Sequence, residues 1–153
     1  MSEKRNQVRE PARRILCVDD DLMVQSVLRR LLEQQGFECE IAADGEEALM
    51  KFRQAAPDWF AAVITDHEMP GLRGLELVEL LRRLNAGVKI IVFASVLAPE
   101  VQAAYRALAV AAILEKPAGV TALLRLQQIL APLVAEVSPQ NGASGPNQIL
   151  NAQ

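Results

Sequence analysis

The sequence has 153 residues, 51% hydrophobic and 23% charged, about the size of one domain and long enough to bury a sizeable core. Sixteen Lys plus Arg against nineteen Asp plus Glu leave a net charge of −3, which argues against a chain that binds nucleic acid along its whole length. No apolar run approaches the roughly 18 residues of a membrane-spanning helix and the polar N-terminus lacks the apolar stretch of a signal peptide, so the expected location is the cytoplasm.

The positive charge is local. Residues 1–14 carry five bases (Lys4, Arg5, Arg9, Arg13, Arg14) and two acids (Glu3, Glu10), and residues 1–12 read as a disordered basic lead. Arg14 to Val18 is a strand-like run, after which Asp20 or Asp21 caps a helix with the stripe Leu22, Val24, Val27, Leu28, Leu31 and Leu32, stopped by Gly36. Phe37 to Ala42 alternates as a second strand, and Asp44-Gly45 leads into a helix through Ala48, Leu49 and Phe52. Trp59 to Thr65 is a third strand and Met69-Pro70-Gly71 a turn; Leu75, Leu77, Val78, Leu81 and Leu84 mark the next helix. Val88 to Ala94 is the fourth strand, Pro99 to Leu108 a helix, Val110 to Leu114 the fifth strand and Val120 to Val137 the last helix. Ser138 to Gln153 has no charge and is rich in Asn, Gln, Gly, Ser and Pro, a composition expected of a disordered tail or linker. Cys17 and Cys39 lie in apolar runs, with no CxxC or Cys/His grouping, and read as core thiols. With a single histidine, zinc is not expected.

Five βα units over residues 13–137 imply an α/β domain, doubly wound around a parallel sheet covered on both faces. Ligands of such sheets bind outside the carboxyl ends of the strands. There the sequence puts Asp19-Asp20-Asp21 after the first strand, Asp66 after the third, Ser95 after the fourth and Glu115-Lys116-Pro117 after the fifth. An Asp at a strand end often only caps a helix. Asp19, Asp20 and Asp66 crowded together repel unless a cation or proton intervenes, and a hard divalent ion, Mg2+ by default, suits such an all-oxygen set. Lys116 would supply positive charge to a phosphoryl group, aimed inward by the following Pro117, and Ser95 a hydrogen bond to it.

Four segments, ILCVDDD at 15–21, VITDHEMPGLRGLEL at 63–77, VFAS at 92–95 and LEKP at 114–117, resemble a bacterial response-regulator receiver domain of two-component signalling, over about residues 13–136. The resemblance implies a flavodoxin-like (βα)5 sandwich with strand order 2-1-3-4-5. It makes Asp66 the phosphoacceptor and Asp19 with Asp20 the acidic pair that organises Mg2+. Asp66 would ligate the ion through its side chain and Glu68 through its backbone carbonyl, with Ser95 as the switch hydroxyl and Lys116 as the invariant lysine. Such a domain catalyses only its own phosphorylation and dephosphorylation. Its partners would be a sensor histidine kinase or phosphotransfer protein, a downstream effector or output domain, and a second copy through the face of the fourth helix, fifth strand and fifth helix. Tyr105, Arg106 and Arg125 are expected as exposed members of that face.

The sequence departs from the family pattern at several places. Ile113 stands where a Tyr or Phe is usual, and the β-branched side chain cannot make the same inward swing. Val96 follows Ser95 in place of a small residue and is expected to crowd the phosphoryl pocket; Ala118 replaces a frequent aromatic and Arg73 a frequent Asp. His67 reads as an exposed loop residue, with a role beside the phosphate as the lesser reading, while Glu68 and Leu97 hold positions that tune phosphate loss in the family. Two other readings are a pseudo-receiver that binds proteins without phosphorylation and a haloacid dehalogenase-type phosphohydrolase, although Asp66-His67-Glu68 lacks the second Asp of that motif. No DNA-reading module fits in the sixteen residues after Val137.

Overall fold

A computed structural model of the chain describes residues 13–116 and 120–137. The expected lead at 1–12 and tail at 138–153, with Pro117 and Ala118, lie outside the described residues.

The three strands written as near-continuous apolar runs, β1 (Arg14–Val18), β3 (Phe60–Thr65) and β4 (Lys89–Ala94), are buried on both faces. They form the middle of the sheet. The more polar β2 (Glu38–Ala42) and the short β5 (Ala112–Glu115) are its edges. All neighbours pair in parallel, in the order β2-β1-β3-β4-β5.

Alternation along the central strands feeds two cores. Ile15, Cys17, Ile64 and Ile91 pack on one face with α1 (Leu22–Gln34) and α5 (Val120–Val137). On the other, Leu16, Val18, Val63 and Val92 meet α2 (Gly45–Gln54), α3 (Gly74–Leu84) and α4 (Pro99–Ala107).

Several boundaries and faces differ from expectation. In α1 only Leu28, Leu31 and Leu32 are buried, while Leu22 is 76% and Val27 43% exposed. At about 100° per residue both lie 100–120° around the helix from Leu28, off the face that meets the sheet. Phe37, Trp59 and Val88 precede their strands, and Val110 precedes β5. Ala109 has left-handed backbone (φ 56°), the conformation usually given to glycine, and there the chain leaves α4; Ala111 N–H then donates to the Ile90 carbonyl before the β5 ladder begins. Cys17 is fully buried and Cys39 half-buried, with free thiols whose sulfurs are 3.5 Å apart across β1 and β2. Among the described residues no helix is long and apolar enough to cross a membrane.

The end of α4 is held by a charged clamp. Arg82 on α3 donates from Nε to the Leu108 carbonyl (2.7 Å), from Nη2 to that of Ala109 (3.0 Å) and from Nη1 to that of Val88 (2.6 Å). Carbonyls at a helix C-terminus have no partner within the helix, so the guanidinium supplies one. Replacing Arg82 by Met keeps the apolar stem and removes all three bonds; urea unfolding should show a loss of about 2 kcal/mol. A change under about 0.5 kcal/mol, the size of an ordinary surface substitution, would mean the clamp adds nothing.

Candidate functional site

Parallel strands bring all their carboxyl ends to one edge of the sheet, and three backbone bonds carry the ladder one step beyond it. Asp19 N–H donates to the Ala42 carbonyl (3.1 Å), Asp66 N–H to that of Val18 (2.9 Å) and Lys116 N–H to that of Ala94 (2.8 Å). Each residue is therefore pinned to a neighbouring strand before its side chain does anything.

The three acids after β1 divide their work. Asp21 is the N-cap of α1, its carboxylate accepting from Met23 and Val24 N–H, which satisfies amides the helix cannot pair itself. Asp19 and Asp20 remain. With Asp66 they offer carboxylate oxygens that lie within 4.8 Å of one another. The Asp19 side chain is 2% exposed and that of Asp66 12%, whereas Asp20 faces solvent. Lys116 Nζ donates to Asp19 Oδ2 at 2.6 Å and stands 3.3 Å from Asp66 Oδ2. Burial raises the Asp19 carboxyl above its ordinary value despite the bonds from Lys116 and the Asp21 amide. Burial works against the Lys116 charge too, but the Asp19 hydrogen bond and the charges of Asp19 and Asp66 prevail and hold the ammonium above its usual value.

One ammonium does not balance three carboxylates. The donor set is all oxygen, partly buried and open through Asp20, which fits a hard divalent cation and not a soft one. Glu68 is exposed and its carboxylate lies outside this cluster. Ser95 directly follows β4 and is exposed. Val96, next to Ser95, is 76% exposed. Ile113 pairs with Val92 in the register and packs, half-buried, on the apolar cluster that contains Tyr105.

Two expectations fail at one contact. Tyr105 is fully buried, not exposed, and His67 is half-buried rather than a free loop residue, because His67 Nδ1 and the Tyr105 hydroxyl share a 2.6 Å hydrogen bond. Burial, aided by the Asp66 charge, pushes the phenol well above its ordinary value and keeps it neutral. Arg106 and Arg125 are exposed as expected. Three further residues that sequence reasoning missed support the site. Gln25 Nε2 donates to the Asp19 carbonyl (2.7 Å), and the buried Thr65 hydroxyl donates to the Asp66 carbonyl (2.9 Å). Gly74 N–H donates to the His67 carbonyl at 2.9 Å, and a Cβ at Gly74 would collide with the Asp66 carbonyl and come within 2.7 Å of the Tyr105 hydroxyl.

Residues 15–128 match the model of the response regulator receiver domain. The chain belongs to that family. A response regulator receiver protein of Anaeromyxobacter is 37% identical over 114 residues, covering 74% of this chain and 47% of its own. Among solved structures, the chemotaxis protein CheY4 of Vibrio cholerae is 32% identical with TM-score 0.68, covering 78% of this receiver and 99% of its own chain. TrrA of Thermotoga maritima, determined in complex with Mg2+ and BeF, is 30% identical with TM-score 0.66, covering 78% and 97%. The receiver spans between a third and a half of the length of the curated relatives it matches.

Crowded carboxylates that suit a hard cation should make folding of the receiver sensitive to divalent ions. At ten times its dissociation constant, Mg2+ bound only to the folded form adds about 1.4 kcal/mol, or about 5 °C in melting temperature. Asp20→Asn should remove most of that gain. A wild-type melting curve unmoved by millimolar Mg2+ would speak against a metal site at this edge.

Proposed function

We propose that this receiver takes a phosphoryl group onto Asp66 from a histidine kinase or phosphotransfer protein and so alters its association with an effector, an output domain or a second copy. The observation that carries the reading is the convergence of Asp19, Asp20 and Asp66 within 4.8 Å, with Lys116 between Asp19 and Asp66.

An Asp66 carboxylate oxygen attacks the donor phosphorus in line; its bond to phosphorus forms as the bond to the leaving imidazole, or to a small donor's leaving group, breaks. Asp19, Asp20 and Asp66, with the Glu68 carbonyl, would hold Mg2+, whose chemistry is to neutralise charge on the transferring group. Lys116 stands ready to exchange its bond to Asp19 for one to a phosphoryl oxygen. The Ser95 hydroxyl donates to another. Catalysis extends no further than gain and loss of the aspartyl phosphate, a reading that the receiver match over residues 15–128 supports over the phosphohydrolase one.

The face of α4, β5 and α5 presents Arg106 and Arg125 to solvent and is the proposed surface for a partner or dimer. With Ile113 on β5, the response to phosphorylation should centre on the segment after Ser95.

Acetyl phosphate with Mg2+ should add one phosphoryl mass to wild type and none to Asp66→Asn. Equal labelling of the Asn variant would overturn the assignment, and an unlabelled wild type that still binds Mg2+ would favour the pseudo-receiver. With beryllofluoride in place of the phosphoryl group, backbone NMR shifts near Ser95 to Glu100 should exceed those at 110–114. Comparable shifts in both segments would show that Ile113 switches as an aromatic does.

A further inference from the structure

We propose that the hydrogen-bonded pair His67–Tyr105 is the device that couples the state of Asp66 to helix α4. The inference rests on the reading of Asp66 as phosphoacceptor.

The pair bridges the loop after β3 and helix α4. His67 directly follows Asp66, and its backbone N–H donates to Asp66 Oδ1 at 2.7 Å. Its ring Nδ1 is bonded at 2.6 Å to the Tyr105 hydroxyl, and the two rings meet edge to face, 5.6 Å apart at 77°. One residue thus touches the reacting carboxylate through its backbone and α4 through its side chain.

Tyr105 is the one fully buried residue of α4. The carbonyls just after the helix are fixed by Arg82, and Pro99, Glu100 and Ala103 face solvent, so Tyr105, with the partly buried Val101 and Leu108 beside it, is the main side chain that seats the helix on the sheet. The hydroxyl lies in a closed space. Gly74 at the start of α3 bounds it so tightly that a Cβ there would come within 2.7 Å of it and 2.8 Å of His67 Cα. A buried hydroxyl does not give up its partner without cost, so His67 and Tyr105 move together or exchange partners together. Ile113, in the same apolar cluster, has no polar atom with which to sense Asp66.

Phosphorylation changes both sides of this contact. The Asp66 oxygen that accepts the His67 amide becomes part of an acyl phosphate, and a group of about −2 charge enters beside a neutral, buried phenol. The amide then has a new set of acceptors, and the phenol proton a more negative neighbour. Because the interior is packed without slack, a displacement of the 66–67 peptide is passed through the imidazole to the ring of Tyr105 and to α4.

The test compares wild type, Tyr105→Phe, His67→Ala, His67→Asn and the double variant Tyr105→Phe/His67→Ala, read by beryllofluoride-induced amide shifts over residues 99–107 and by phosphoryl mass on Asp66. Tyr105→Phe keeps the ring and loses only the hydroxyl. It should still be phosphorylated while its α4 shifts fall at least two-fold, and His67→Ala should match it. The double variant should lose no more than either single one, as expected of one interaction. His67→Asn, whose amide can reach the place of Nδ1, should recover part of the response. Full α4 shifts in both single variants, with Asp66 still modified, would overturn the coupling while leaving the phosphoacceptor intact. A wild type that takes neither beryllofluoride nor phosphate would overturn both. Should Tyr105→Phe fold poorly, His67→Ala decides alone, since His67 is half-buried in a loop and anchors no core.

Discussion

Everything at the carboxyl edge of this sheet turns on a charge imbalance that the fold enforces. Parallel strands cannot avoid bringing Asp19 and Asp66 together, since each is held by a backbone bond one step past its strand. Side chains cannot relieve the crowding by moving far. Lys116, pinned in the same manner to β4, compensates one carboxylate and part of another. The remaining negative charge gives the edge a donor set that suits a hard divalent cation. Desolvation amplifies this, because interactions at side chains only 2% and 12% exposed are screened far less than on the surface.

Much of this was legible in the sequence because each relevant residue ends an apolar run. Val18-Asp19, Thr65-Asp66 and Glu115-Lys116 mark a change from buried strand to polar edge, and the alternation of strands and helices brings those changes to one side of a parallel sheet. The division of labour among Asp19, Asp20 and Asp21 was not legible, because any of them can cap a helix; only the geometry assigns that work to Asp21. The His67–Tyr105 contact was hidden for a different reason. Its members are 38 residues apart, one in a loop and one in a helix rich in alanine and flanked by Arg106, a context that reads as surface. A faint sign existed in Val101, Tyr105 and Leu108, spaced four and three residues apart, which define one helical face. Strand and helix ends were off by one or two residues where a buried flank such as Phe37 or Val88 carries apolar character past its ladder.

Helix α4 is attached in two chemically distinct ways. Charge holds the carbonyls beyond its last turn, through Arg82, and a neutral phenol holds its interior side. The first attachment lies far along the chain from the strand-end acids, on α3 and the α4–β5 connection. The second ends beside Asp66. Both attachments lie at the C-terminal end of α4, since Tyr105 is the third residue from its end and the clamped carbonyls of Leu108 and Ala109 follow it.

The closeness of Gly74 to Tyr105 also bears on how this sequence can vary over evolutionary time. With the hydroxyl in place, residue 74 has no room for a side-chain carbon, so drift there is closed. Loss of the phenol oxygen would widen the space only in part, because the Asp66 carbonyl and His67 Cα also crowd that position. The two positions are therefore unequal: the Asp66 carbonyl and His67 Cα bar a side chain at residue 74 whatever stands at 105.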